Sequence, residues 1–214
     1  MGHYPQIATS AKPQVFNYSL DWRFLLPRAE PEKTCLLFEE NADFSQTLEQ
    51  VGLRVSKQLS FSELREHRHD TFQLLVMPFG LPAGWAGAGG EARVQFYFSL
   101  GRVIDSGGHL LVGFNNVLNL RHDPQTNYQA STPRRMAVEL GQAGFKSVKI
   151  YGAMPTLQIP EYIFDLDRRA IAFALHNRFR RKPALLRLLR LLAGRVGWKR
   201  ISNFLPCYFA VAAA

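Results

Sequence analysis

Apolar positions in this chain come in short runs separated by polar or glycine-containing stretches. Thr34-Cys35-Leu36-Leu37-Phe38 is one such run, short enough to be a buried strand. Polar residues 39–43 end it, and Phe44 to Val51, closed by Gly52, predicts a helix. Leu53-Arg54-Val55-Ser56 predicts the next strand. Later, Pro133 predicts a helix start with Ser131 or Thr132 as its cap. The most periodic stretch follows Pro183: Ala184-Leu185-Leu186-Arg187-Leu188-Leu189-Arg190-Leu191-Leu192-Ala193, with Gly194 as a candidate stop. At about 100° per residue, Arg187 and Arg190 sit roughly 60° apart and leucines cover the rest. An ordinary surface helix has a wider polar face. This one is expected to be buried on most sides, against the domain, a partner chain or a lipid interface.

The length of 214 residues suits one α/β domain with a sizeable core. Residues 1–15 are expected to form a flexible lead and residues 16–214 a single domain. The longest apolar runs, such as Phe204 to Ala214, fall short of the ~20 residues that a membrane-spanning helix needs. No charged-then-apolar signal pattern opens the chain. Cys35 and Cys207 fall in predicted strands and are read as buried free thiols, although a disulfide between them is left open. A cytoplasmic location fits, with peripheral membrane attachment as an extension of it.

Charge changes the picture. The formal net charge is +9. Between His176 and Arg200 stand Arg178, Arg180, Arg181, Lys182, Arg187, Arg190, Arg195, Lys199 and Arg200, with no acid among them. Those nine account for the whole excess, since the remainder holds 17 basic and 17 acidic residues. Residues 176–200 are thus a basic, leucine-rich helical insertion in a neutral domain.

Several segments, in order, carry a resemblance. Phe16-Asn17-Tyr18-Ser19-Leu20-Asp21-Trp22-Arg23-Phe24-Leu25-Leu26-Pro27 is one. Phe72-Gln73-Leu74-Leu75-Val76-Met77-Pro78 is similar to an F-D-hydrophobic strand. Leu100 to Phe114 is similar to a helix end, a P-G-G-type turn with Ser106 in the proline position, and a strand. Leu140-Gly141-Gln142-Ala143-Gly144-Phe145-Lys146-Ser147-Val148 matches an "aGF..v" passage, and Leu205 to Ala212 a closing strand. Together these resemble the class I S-adenosylmethionine (SAM)-dependent methyltransferases. The resemblance implies a Rossmann-like α/β fold. Its mostly parallel seven-stranded sheet would carry helices on both faces, with the basic insertion between the sixth and seventh strands.

Three departures from that family bear on function. Its G-x-G-type turn after the first strand lets backbone approach the cofactor and offers free N–H groups. Here that turn is Glu39-Glu40-Asn41-Ala42-Asp43. The acid that binds the cofactor ribose is replaced by Lys57 and Gln58 after the expected second strand, and the fourth-strand aspartate is Gln73. The first reading is a pseudo-methyltransferase with no catalytic residue and no cofactor, retaining a vestigial groove of Phe38, Glu39, Glu40, Asn41 and Ala42. It would serve as a binding, scaffolding or regulatory subunit of an active methyltransferase or another biosynthetic enzyme, in a hetero-complex or as a homodimer. The alternative is an active enzyme using SAM on a polar, glycan or lipid-linked substrate, at a membrane surface. Glu39 and Glu40 would then contact the cofactor and His122 would be the general base.

Asn115, Asn116, Asn119 and Arg121 follow the fifth strand and are candidates to hold a polar substrate; the competing reading is a capping and turn-forming loop. Tyr151 to Pro160 is expected to close over the site as an irregular loop. Leu81 to Gly90 is rich in Gly and Ala but lacks the Lys-Ser/Thr of a phosphate loop, so it is a connector presenting Trp85. Docking candidates are Trp85, Arg178, Arg180, Arg181, Lys182, Arg187 and Arg190. Three readings of the basic helix stand: packing over a sheet edge, docking a protein, or lying on an anionic membrane. Nucleic acid is disfavoured, because no recognised motif accompanies the basic residues. No metal site is expected; His67 and His69 lie in a charged run that reads as solvated loop.

Overall fold

The computed structural model describes Leu25 and residues 34–37, 57–59, 71–81, 89–118, 130–157 and 160–214. Its strands are β1 (Thr34–Leu37), β2 (Lys57–Leu59), β3 (Phe72–Met77), β4 (Ile104–Asn116), β5 (Ala130–Ser131), β6 (Ser147–Pro155), β7 (Pro160–Asp165) and β8 (Cys207–Ala213). The helices are α1 (Gly90–Gly101), α2 (Pro133–Gln142), α3 (Arg168–Arg178), α4 (Pro183–Val196) and the short α5 (Trp198–Ile201). One sheet runs β2-β1-β3-β4-β8-β6-β7, with β5 attached to β4 off this path. β2, β1, β3 and β4 are parallel neighbours. β8 runs against both β4 and β6, and β7 runs against β6.

The mostly parallel sheet expected from the sequence is present. One member of its seven-strand path was not expected: β7 is a hairpin partner of β6, with Met154 opposite Tyr162 and Pro155 opposite Pro160. Tyr151 to Pro155 is therefore strand rather than irregular loop. The prolines that suggested a loop stand at strand ends, where a missing N–H is tolerated. The insertion is correspondingly longer than residues 176–200: β7, α3, α4 and α5 all lie between β6 and β8.

β2 also differs from expectation. It occupies Lys57–Leu59, with Cys35 opposite Lys57, while Leu53–Ser56, where the strand was expected, lie outside the described residues. A slip by an even number of residues preserves a period-two pattern, so alternation alone does not place a strand along the chain. Lys57 and Gln58 lie within the strand, and the residues after it begin at Ser60, outside the described set. The absence of an acid at Lys57 and Gln58 thus says nothing about a ribose contact. The helix expected from Phe44 to Val51 and the lead expected over residues 1–15 also lie outside the described residues.

Pleating sorts the core into two layers. From β8, Tyr208, Ala210 and Ala212 join Met77, Phe96, Tyr97, Leu100, Phe114, Met136 and Leu140 on the face covered by α1 and α2. Cys207 and Phe209 join Leu74, Val76, Leu111, Leu25 and Leu157 on the other. Phe114 and Tyr208 stack with ring centroids 5.2 Å apart. The glycine turn before the fifth strand of the family is a bulge inside β4: Phe72 faces Ile104 and Leu74 faces His109. Gly107 supplies its positive φ of 82°. Gly113 is needed for close approach, since a Cβ there would run into the Pro78 carbonyl.

β1 and β8 are separated by β3 and β4. Three strand spacings of ~4.8 Å put them roughly 14 Å apart, too far for a disulfide, whose Cα atoms lie within ~7 Å. Cys207 is a buried free thiol that donates to the Ala153 carbonyl at 3.3 Å.

Candidate functional site

In an open α/β sheet, ligands bind outside the carboxyl ends of the parallel strands, where neighbouring connections leave in opposite directions. β1 lies between β2 and β3 and is parallel to both. The loop after Leu37 therefore leaves from the switch point, which is where the sequence puts Glu39-Glu40-Asn41-Ala42-Asp43. Those five residues and Phe38 are outside the described set, as are Asn119, Arg121, His122 and Trp85. Gln73 is half-buried near the amino end of β3. It is four residue steps from Met77 at the carboxyl end. At ~3.3 Å per residue it stands roughly 13 Å from the ligand edge. Gln73, in the place of the aspartate, thus stands toward the amino end of the strand, away from the edge where ligands bind in such sheets.

The carboxyl end of β4 is held by Asn116, a buried residue. Its Nδ2 donates to the carbonyls of Asn203 and Leu205, each at 2.6 Å, and lies 3.2 Å from the Tyr208 hydroxyl. Its Oδ1 accepts from the Leu118 N–H at 3.0 Å. The Tyr208 hydroxyl in turn donates to the Ser202 carbonyl at 2.6 Å. Asn116 was a candidate for substrate binding; its amide is committed to tying β4 to the turn that enters β8. Asn115 is partly exposed, its backbone flanked by Ala130 and Cys207.

Beside this knot opens a cleft of about 1280 Å³. Arg134, Leu166, Arg168, Trp198, Arg200 and Asn203 line it, among others, and among the described residues no acid does. Arg134, Arg168 and Arg200 are exposed, with no ion-pair partner among the described residues. Two helices start at the cleft. Thr132 caps α2 by accepting from the Arg135 N–H at 3.2 Å. Asp167 caps α3, accepting from the N–H groups of Arg169 and Ala170 at 2.7 and 2.9 Å. A helix N-terminus favours acidic neighbours. Here the first turns hold Arg134-Arg135 and Arg168-Arg169 instead. Exposed arginines thus line the cleft, with the Asp167 carboxylate engaged as a cap beside them and Trp198 and Leu166 as apolar wall. The sequence reading passed over these arginines. The signal was the Arg pair just inside each cap, placed against the dipole preference.

The predicted docking residues lie elsewhere on the insertion. Arg180, Arg181, Lys182 and Arg187 are exposed, and their side chains have no partner among the described residues. Arg178 pairs loosely with Glu161 at 3.4 Å, and Arg190 reaches the His176 ring at 3.3 Å. The helix runs past Gly194 to Val196 and stops at Gly197, whose φ of 83° is the glycine-favouring conformation. The domain itself buries only one side of α4: Ala193 is fully buried, while Leu185, Leu186 and Leu189 are half-buried. Among the described residues no helix is long and apolar enough to cross a membrane, and no group of three His, Cys, Asp or Glu could hold a metal ion.

No protein-family model matches this chain, and no curated protein matches its sequence. Solved structures do. A SAM-dependent methyltransferase from Archaeoglobus fulgidus superposes with a TM-score of 0.51 at 10% identity, over 85% of each chain. The chain has the class I methyltransferase fold. A SAM-dependent methyltransferase from Thermotoga maritima gives a TM-score of 0.48 at 11% identity, over 89% of this chain and 84% of that one. A phosphoethanolamine methyltransferase from Haemonchus contortus, solved with SAM, gives 0.46 at 9% identity, over 90% of this chain and 50% of that one. The order of β3, β4 and the antiparallel β8 in the sheet agrees with the fourth, fifth and last strands that the sequence resemblance implies.

Proposed function

We propose that this is a pseudo-methyltransferase: the fold is kept, methyl transfer is not, and the protein works as a binding subunit. One observation carries this reading. The switch-point loop, which follows a strand parallel to both its neighbours, is Glu39-Glu40-Asn41-Ala42-Asp43. Without glycine, Cβ atoms keep the backbone away from a nucleoside, and three carboxylates oppose the carboxylate of a methionine-derived cofactor. The test is a melting curve with SAM in large excess. A ligand at a hundred times its Kd stabilises the native state by about 2.7 kcal/mol, which is several degrees in Tm. An unchanged Tm supports the proposal, and a rise of several degrees contradicts it.

The Arg-lined cleft favours a second reading, an active methyltransferase whose substrate carries an anionic group. In that reading Arg134, Arg168 and Arg200 hold the anion at the carboxyl end of β4, and orientation of donor and acceptor supplies the catalysis. Methyl transfer from SAM to a phosphorylated or carboxylated acceptor by the purified chain would decide for it.

A further inference from the structure

The geometry points to α4 as the element by which this protein lies on an anionic lipid bilayer. This deepens the proposed binding role and rests on it, while being independent of whether methyl transfer survives. α4 packs inward through Ala193 and the half-buried Leu185, Leu186 and Leu189. Exposed apolar side chains stand away from that packing too, among the arginines. Leu191 is 67% exposed, Leu188 53%, Leu192 43% and Val196 39%. Spaced at 188, 191–192 and 196, they form one stripe along a helix about 21 Å long. Arg187 borders it and Arg195 falls within it, between Leu191 and Leu188 on the helix surface, both exposed. Arg180, Arg181 and Lys182 precede the helix and Arg200 follows it, all exposed.

Charge decides the occupant. From Arg168 to Ala214 there are eleven basic residues and no acid. Protein interfaces fix register with charges of both signs and with buried aromatic anchors. The outward face of α4 offers neither an acid nor an aromatic ring. A bilayer asks for no register. It rewards a uniformly positive rim over its anionic headgroups and an apolar stripe that reaches the acyl boundary. Arginine stems can lie along that boundary with the guanidinium held at headgroup level.

The experiment is flotation of the full chain with vesicles of phosphatidylserine in phosphatidylcholine, and with vesicles of phosphatidylcholine alone. We expect flotation with the first only, weakened by added salt. Arg187→Glu with Arg195→Glu should lower the partition coefficient roughly tenfold or more. Leu188→Ser with Leu191→Ser should lower it at constant charge. All four side chains are exposed, so circular dichroism and Tm should match the parent. No flotation with either vesicle, equal flotation with both, or full binding by the arginine variant would overturn the proposal. Such a failure leaves the cofactor question where the SAM melting curve puts it, so the two readings fail separately.

Discussion

Arg93 of α1 closes on Glu139 of α2 inside the helical layer, Nη2 to Oε1 at 2.6 Å, with side-chain exposures of 6% and 5%. The guanidinium Nε adds bonds of 3.2 and 3.1 Å to the two carboxylate oxygens. Arg135, one turn before Glu139, donates to the same Oε1 at 2.8 Å from a half-exposed position. The hydrogen bond to Glu139 holds Arg93 firmly protonated, against the opposing effect of burial. Removing one partner strands a buried charge, which typically costs about 3–5 kcal/mol. Glu139→Ala should therefore lower stability by that amount in urea titration. Arg93→Met with Glu139→Leu should cost clearly less than Glu139→Ala alone, because no charge remains to be desolvated.

Asn116 gives a second stability prediction. Its amide satisfies two carbonyls of the 203–205 turn, both at 2.6 Å. Asn116→Ala leaves those acceptors without that donor and should cost about 1–3 kcal/mol. Chemical denaturation of the variant checks it. Loss of a ligand contact without loss of stability would instead return Asn116 to a substrate role.

Alkaline pH should weaken the fold. Burial raises the Cys207 thiol above its usual 9.0, and burial with the neighbouring Cys207 raises Tyr208 above its usual 10.0. Both groups are protonated in the native state where the unfolded chain would already have lost the proton. Their contribution is thus complete below pH 9 and is lost as pH rises, by up to about 1.4 kcal/mol per pH unit for each group. Tm should fall between pH 9 and 11, and Cys207→Ala should flatten the first part of that fall. Native Cys207 should also resist thiol reagents near neutral pH.

The cleft predicts anion binding. Arg134, Arg168 and Arg200 face it without an ion-pair partner among the described residues. Inorganic phosphate should raise Tm more than chloride at equal ionic strength, and Arg134→Ala with Arg168→Ala should abolish the difference. Equal responses to the two anions would remove the cleft from the account of function.

The sheet was largely legible in the sequence because apolar runs such as Phe72–Met77 and Cys207–Ala213 are buried on both faces and need no partner to be recognised. α2 was legible at its start, where Thr132 and Pro133 state the cap. β7 was not, since its half-buried pattern of Tyr162, Ile163 and Phe164 sits between prolines and acids. Arg93 and Glu139 are 46 residues apart, and nothing local joins them. The leucines of α4 state an apolar helix but not what covers it: the domain leaves Leu188, Leu191, Leu192 and Val196 exposed. Of the three departures from the methyltransferase pattern, Lys57–Gln58 lies within a strand and not after one, and Gln73 lies near the amino end of the strand where the sequence put it. The loop at Glu39–Asp43 alone now carries the functional reading.

That loop sets the decisive measurement, calorimetric titration of the purified chain with SAM. The account predicts no binding heat at micromolar to millimolar cofactor, and no change on replacing Glu39 and Glu40 with alanine. Micromolar binding by the parent chain, weakened by those substitutions, would contradict it.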